Sequence, residues 1–265
     1  MRSWMAATVL GLSALAAFAG TCVVRNISLT TVGASKVGAG ELRNDSGADL
    51  LDHRIAVAFF DSNNQLVSLQ TVPGCLRSLQ DGTSDFFSAT TDQPAVSMLA
   101  RISFDSTLEA GAVVDGDFTI SNVTAIRTGE SLSVGGTVRN NSDHTVTEPH
   151  ACAVVYDADG HVVTTASDTA IDDLSQNESQ DFAVDLAVPD STTLVDHVDI
   201  WMDALDGGTP IEPQSSKGHA VVACPTATPT PGTPTDTATP SASPTETPTD
   251  TPTATASATA TPEGC

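Results

Sequence analysis

Apolar and polar residues alternate with a period of two along much of this chain. Val198, Ile200 and Met202 alternate with His197, Asp199, Trp201 and Asp203, the pattern of a strand with one buried and one wet face. Ile55–Phe60 and Ala151–Tyr156 are apolar on both faces and predict central strands covered on two sides. Turn-forming clusters punctuate these runs: Asn44-Asp45-Ser46-Gly47, Asp61-Ser62-Asn63-Asn64, Asn140-Asn141-Ser142-Asp143 and Asp157-Ala158-Asp159-Gly160. Asn, Asp and Gly there close loops or adopt positive φ between strands. Beyond the first 19 residues no segment carries a helical period, so the expectation is all-β. Ala112-Val113-Val114 and Ala220-Val221-Val222 each suit a closing strand.

The pattern occurs twice. Residues 22–70 match residues 118–166 without a gap: Asn26 falls on Asn122, Gly33 on Gly129, Gly40 on Gly136, Asn44 on Asn140 and Ser46 on Ser142. Phe59-Phe60-Asp61 meets Val155-Tyr156-Asp157. Leu79 then meets Leu174, Phe87 meets Phe182, and Ile102-Ser103-Phe104-Asp105 meets Ile200-Trp201-Met202-Asp203. Six or seven short strands in a unit of about 90 residues describe an immunoglobulin-like β-sandwich. The chain therefore divides into residues 1–19, a first sandwich over 20–116, a second over 117–224, and a tail over 225–265.

The second unit has a central strand that runs into Tyr156-Asp157, then a turn with Gly160 and the pair Val162-Val163. Val138-Arg139-Asn140 precede it, and Leu174 to Phe182 follow. The first unit carries Leu42-Arg43-Asn44, Val57 to Asp61, and Leu79 to Phe87. In these features the chain resembles the bacterial FxLYD domain, although Val57 or Ala153 replaces the Phe of the naming motif and Phe59 or Val155 its Leu. The resemblance covers about two thirds of the chain. It implies an Ig-like sandwich of extracytoplasmic proteins, and it implies no catalytic residues.

The two ends differ from this middle. Arg2, an apolar run to Phe18 and the small-x-small site Ala17-Phe18-Ala19 read as a secretory signal peptide, too short for a membrane helix. Cys22 would be the acylated residue of a lipoprotein, but Ala19-Gly20-Thr21 fit that signal poorly and a strand pattern follows at once. Residues 225–262 are almost wholly Thr, Pro, Ala and Ser, a composition that buries no core and predicts a disordered or extended tail. At about 3.1 Å per residue in polyproline II, about 40 such residues span on the order of 120 Å. The tail reads equally as a stalk, open to O-glycosylation, or as a linker. It carries neither an apolar span nor a GPI signal.

Composition narrows the partners. The formal charge is −23, from 10 Lys and Arg against 33 Asp and Glu. That excludes nucleic acid and anionic membrane surfaces as partners, since both are held by basic side chains. Asp157-Ala158-Asp159-Gly160 resembles the start of a calcium loop, but strands flank it and position twelve is Asp168 rather than Glu, so a hairpin turn is expected. His53, His144, His150, His161, His197 and His219 show no close metal-ligand spacing, and His144, Glu148 and His150 read as a surface loop. There is no nucleophile elbow, phosphate loop or dinucleotide fingerprint. No catalytic residue, metal or cofactor is expected. Asn26, Asn44, Asn122, Asn140 and Asn177 head glycosylation sequons, of which Asn44 and Asn140 read better as turn residues.

Five cysteines in an exported chain favour disulfides. One staple per module pairs Cys22 with Cys75 and Cys152 with Cys224; the rival is a bridge between modules, Cys75–Cys152. Either leaves Cys265 for an intermolecular bond. Trp201 falls on the outward face of its strand, where it either stacks on a sugar or protein partner or covers the neighbouring module or the 207–218 segment. The expected function is a secreted or cell-surface, non-enzymatic structural or adhesive protein with an unknown protein or glycan partner. The alternatives are a carbohydrate- or protein-binding module centred on Trp201, and an accessory part of a larger secreted enzyme.

Overall fold

The computed structural model describes residues 21–103, 116–168, 171–189, 195–211 and 218–223. The expected signal peptide, the closing strand at 112–114, Cys224, Cys265 and the Thr/Pro-rich tail lie outside the described residues.

The first module contributes β1 (Thr21–Val32), β2 (Ser35–Asp45), β3 (Leu50–Leu51), β4 (Arg54–Phe60), β5 (Leu66–Pro73), β6 (Ser78–Leu79), β7 (Ser84–Thr91) and β8 (Ser97–Ile102). They form two antiparallel sheets, β1-β2-β7 and β5-β4-β8, with the short pair β3-β6 beside them. The second module repeats the plan with β9 (Phe118–Thr128), β10 (Ser131–Asn140), β11 (Thr147–Asp157), β12 (Val162–Asp168), β13 (Ser179–Ala187), β14 (Val195–Asp206), β15 (Thr209–Pro210) and β16 (Gly218–Val221). Its sheets are β13-β10-β9 and β12-β11-β14-β15, and β16 pairs with β14 as the closing strand expected at 220–222. The chain is thus all-β, built of two immunoglobulin-like sandwiches.

Residues shared by the repeats carry the same structural task in each copy. Asn44 and Asn140 are fully buried at the ends of β2 and β10. Asn44 Nδ2 donates to Ala48 O at 2.7 Å and Leu79 O at 2.9 Å, while Oδ1 accepts the Ser46 N–H. Asn140 makes the same three bonds with His144 O, Leu174 O and the Ser142 N–H. Buried polar groups are tolerated when so paired. Asn26 and Asn122 sit at a bulge in the first strand of each module with φ of 50° and 54°, a conformation that favours Asn. Gly40 and Gly136 lie opposite Phe87 and Phe182; a Cβ there would stand 3.0 Å and 2.7 Å from the ring Cζ.

Strand alternation sorts the side chains into three apolar layers between four sheets. Leu42, Phe87 and Ala89 face Ile55, Val57 and Phe59 in the first core. Leu132, Val134, Val138 and Phe182 face Ala153, Val155, Ile200 and Met202 in the second. Between them lies a third layer, in which Ala39, Cys75, Leu76 and Phe86 of the first module meet Cys152, Val154 and Val162 of the second, with Tyr156 and Trp201 packed alongside. The strand Ala151–Tyr156 is therefore covered on both faces as expected. Ile55–Phe60 is not: Ile55, Val57 and Phe59 are buried, whereas Ala56, Ala58 and Phe60 lie on a half-exposed face. Ala58 is flanked there by Leu69 and Leu99, 64% and 61% exposed.

Candidate functional site at the module junction

Cys75 is placed by a tight turn ahead of β6. Its N–H donates to Phe86 O at 2.8 Å, and the Leu76 N–H donates to Asp85 Oδ1 at 3.0 Å. Asp85 is itself buried against His53, Oδ2 to Nε2 2.6 Å. Gly74 fits above this pair because it has no Cβ, which would stand 1.8 Å from Asp85 Oδ2. The turn thereby projects Cys75 off its own sandwich, toward the outward face of β11.

There it is bonded to Cys152. The expected pairing of Cys22 with Cys75 and of Cys152 with Cys224 gives way to the bridge between modules. The reason is geometric. Cys152 alternates with the core residues Ala151 and Ala153, so its side chain leaves the second sandwich on the side where the first one docks. Cys22 instead packs against the first core, with Sγ 3.6 Å from Asn44 Oδ1, and is unbonded. Burial, with Asp45 and Asp81 nearby, raises its thiol pKa.

Trp201 is on the outward face of β14, as alternation predicts, directly opposite Cys152. Its ring packs on Phe86 of the first module, centroids 5.7 Å apart, and Phe86 meets Tyr156 edge-on at 6.2 Å. The indole thus rests against the neighbouring module and is half-buried there. Hydroxyls frame the apolar patch: Ser28 donates to Val162 O, Ser88 donates to Thr165 O at 3.2 Å, and Thr165 donates to Ser88 Oγ at 3.1 Å. Tyr156 is largely enclosed, and burial, with Asp199 and Glu41 nearby, raises its phenol above the usual value.

A polar cluster closes one end of the junction. The Arg77 N–H donates to Asp203 Oδ2 at 2.6 Å, and the Arg77 guanidinium lies 3.3 Å from Glu148. His150 Nδ1 is 3.3 Å from Asp203 Oδ1. Arg77, Glu148, Pro149, Ile171, Asp172 and Asp173 line an open groove of about 590 Å³ there. Glu148 and His150 belong to β11 rather than to a loop, and His144 lies apart from them beside Asp143 and Asp206.

The Asp157 turn is a hairpin, as expected. Asp157 Oδ1 accepts the N–H groups of Asp159 and His161, and Asp61 Oδ1 accepts those of Asn63 and Gln65 at the same place in the first module. Sequence spacing did miss one cluster. His197, Asp199 and His219 converge because β16 pairs with β14, a relation that no local motif records.

No protein-family model matches the chain, and no curated protein matches it. Solved structures similar to it include a β-glucuronidase from Bacteroides uniformis, at 16% identity and a TM-score of 0.31, covering 71% of this chain and 26% of that one. A β-glucuronidase from Ruminococcus gnavus is 9% identical with a TM-score of 0.24, over 71% of this chain and 36% of that one. A red sea bream transglutaminase is 10% identical with a TM-score of 0.26, over 76% and 32%. The chain spans about a quarter to a third of the length of these proteins. Among the described residues no helix is long and apolar enough to cross a membrane. The fold and junction define a class, the covalently clamped tandem β-sandwich.

Proposed function

We propose that this chain is an extracytoplasmic, non-enzymatic structural or adhesive protein, in which two FxLYD-like sandwiches form one rigid block presented on a Thr/Pro-rich stalk. The observation that carries this reading is the Cys75–Cys152 bridge laid across an apolar junction. Disulfides persist in oxidising compartments, which supports export. The bridge and the Phe86–Trp201 packing suppress motion between modules, which suits a presented scaffold rather than a hinged enzyme. With Trp201 packed against Phe86, the block's outer surfaces are left to meet a protein or glycan partner.

The test is brief protease treatment of intact cells from the native source, followed by thiol labelling of the released and retained fractions. The chain is expected in the released fraction with Cys75 and Cys152 protected from label. Recovery only inside intact cells, with both thiols reactive, would overturn the proposal.

A further inference from the structure

His197 and Asp199 leave the same face of β14, and His219 of β16 stands directly across from Asp199 in the antiparallel pair. One ligand atom from each lies within 4.8 Å of the other two. His219 Nδ1 is 2.9 Å from Asp199 Oδ1, and the two imidazole rings have centroids 5.0 Å apart. Two nitrogens and a carboxylate gathered this closely form the donor set of a borderline transition-metal ion, not of calcium or magnesium, which take oxygens.

The surroundings supply what such a site needs. His197 Nδ1 is 2.8 Å from Asp196 Oδ2, a carboxylate–imidazole pair of the kind that orients a metal-binding histidine and leaves its Nε2 without that partner. The Tyr156 ring stacks on His197 at 4.8 Å and walls the site on the junction side. Asp199 is buried, whereas the His219 side chain is 54% exposed, so solvent reaches the cluster through His219. Zinc–ligand bonds of about 2.0–2.2 Å require donors about 3.4 Å apart in a tetrahedron. The three donors stand within 4.8 Å of one another, and one pair, His219 Nδ1 and Asp199 Oδ1, is at 2.9 Å.

The other such cluster among the described residues differs. Asp157, Asp159 and His161 also approach one another, but Asp157 Oδ1 already accepts the two turn N–H groups and its partners are exposed. It serves as the internal control.

We propose that His197, Asp199 and His219 bind one zinc ion, with a fourth position open to water, and that the ion pins the closing strand β16 to β14. This stands independently of the adhesive reading.

The full chain, stripped with chelator, is titrated with zinc chloride by calorimetry at neutral pH. One zinc per chain is expected. His219→Ala and His197→Gln are each expected to weaken binding on the order of 100-fold, and Asp196→Asn about 10-fold. His161→Ala should leave it unchanged, and calcium chloride should give no heat. Circular dichroism of each variant confirms that it is folded. In histidine-labelled protein, zinc should shift the ring resonances of His197 and His219. The proposal is overturned if no zinc binds, if His219→Ala binds it undiminished, or if His161→Ala abolishes binding.

Discussion

Removing the bridge between the sandwiches should unlock the junction before it unfolds either module. The perturbation is Cys75→Ala with Cys152→Ala. The bridge closes a loop with a sequence separation of 77, for which the chain-entropy relation gives about 4.5 kcal/mol at 25 °C. Each sandwich keeps its own core, with Phe59 and Phe87 in one and Ile200 and Met202 in the other. The loss should therefore fall mainly on the step that separates residue 75 from residue 152. Trp201 reports that step, because its ring rests on Phe86 and it is the only tryptophan in residues 20–265. With a urea dependence of about 2 kcal/mol per molar, the fluorescence midpoint should move down by about 2 M. In the bridged chain the fluorescence and far-UV circular dichroism transitions should coincide; without the bridge, the dichroism should lag. If the fluorescence midpoint stays in place, packing of Phe86, Val154, Tyr156 and Trp201 alone holds the modules and the reasoning fails.

Three further outcomes follow from the same structure. Gly136→Ala forces a Cβ to 2.7 Å from Phe182 Cζ and should cost about 1–3 kcal/mol by overpacking, read as a lowered calorimetric midpoint for the second module. An unchanged midpoint would mean that the Phe182 ring moves aside freely. Asn140→Ala removes the side-chain hydrogen bonds to His144 O, Leu174 O and the Ser142 N–H and should cost about 3 kcal/mol in chemical denaturation, with Asn44→Ala matching it in the first module. Unequal losses would break the structural equivalence of the two repeats. Tyr156 is the chain's single tyrosine, and its raised folded pKa means that the folded state holds the proton more tightly than the unfolded state. The stability it contributes is complete below pH 10 and declines as pH rises from there toward the folded pKa. Tyrosinate absorbance should therefore appear above pH 10 in the native protein and near pH 10 in urea; titration at the ordinary value in both would show that the junction is not closed over the ring.

Much of this was legible because duplication acts as a built-in comparison. Gly40 with Gly136, and Asn44 with Asn140, stood out as repeated residues, and each proves to hold one close approach or one hydrogen-bond set in both copies. The alternation of Val198, Ile200 and Met202 gave the buried face of β14 directly. What resisted reading was everything that depends on how one sandwich meets the other. The apolar runs at Ile55–Phe60 and Ala151–Tyr156 look alike, yet only the second is covered twice, because local pattern does not say which outward face docks. The pairing of Cys75 with Cys152 belongs to that same docking. The His197–Asp199–His219 cluster needs the pairing of β16 with β14, which brings together residues separated by a stretch of unrelated sequence.

The Cys75–Cys152 bridge also sets how the block would respond to tension. A pull applied at the two ends of the chain travels to Cys75, crosses the bridge and continues from Cys152, so the strands between, including β7, β9 and β10, sit off the force path. With a separation of 77 residues, about 260 Å of contour length is withheld from extension while the bond is intact. Under load, a block bridged this way yields only the segments outside the Cys75–Cys152 loop, and a thiol reductant would release the hidden length as slack.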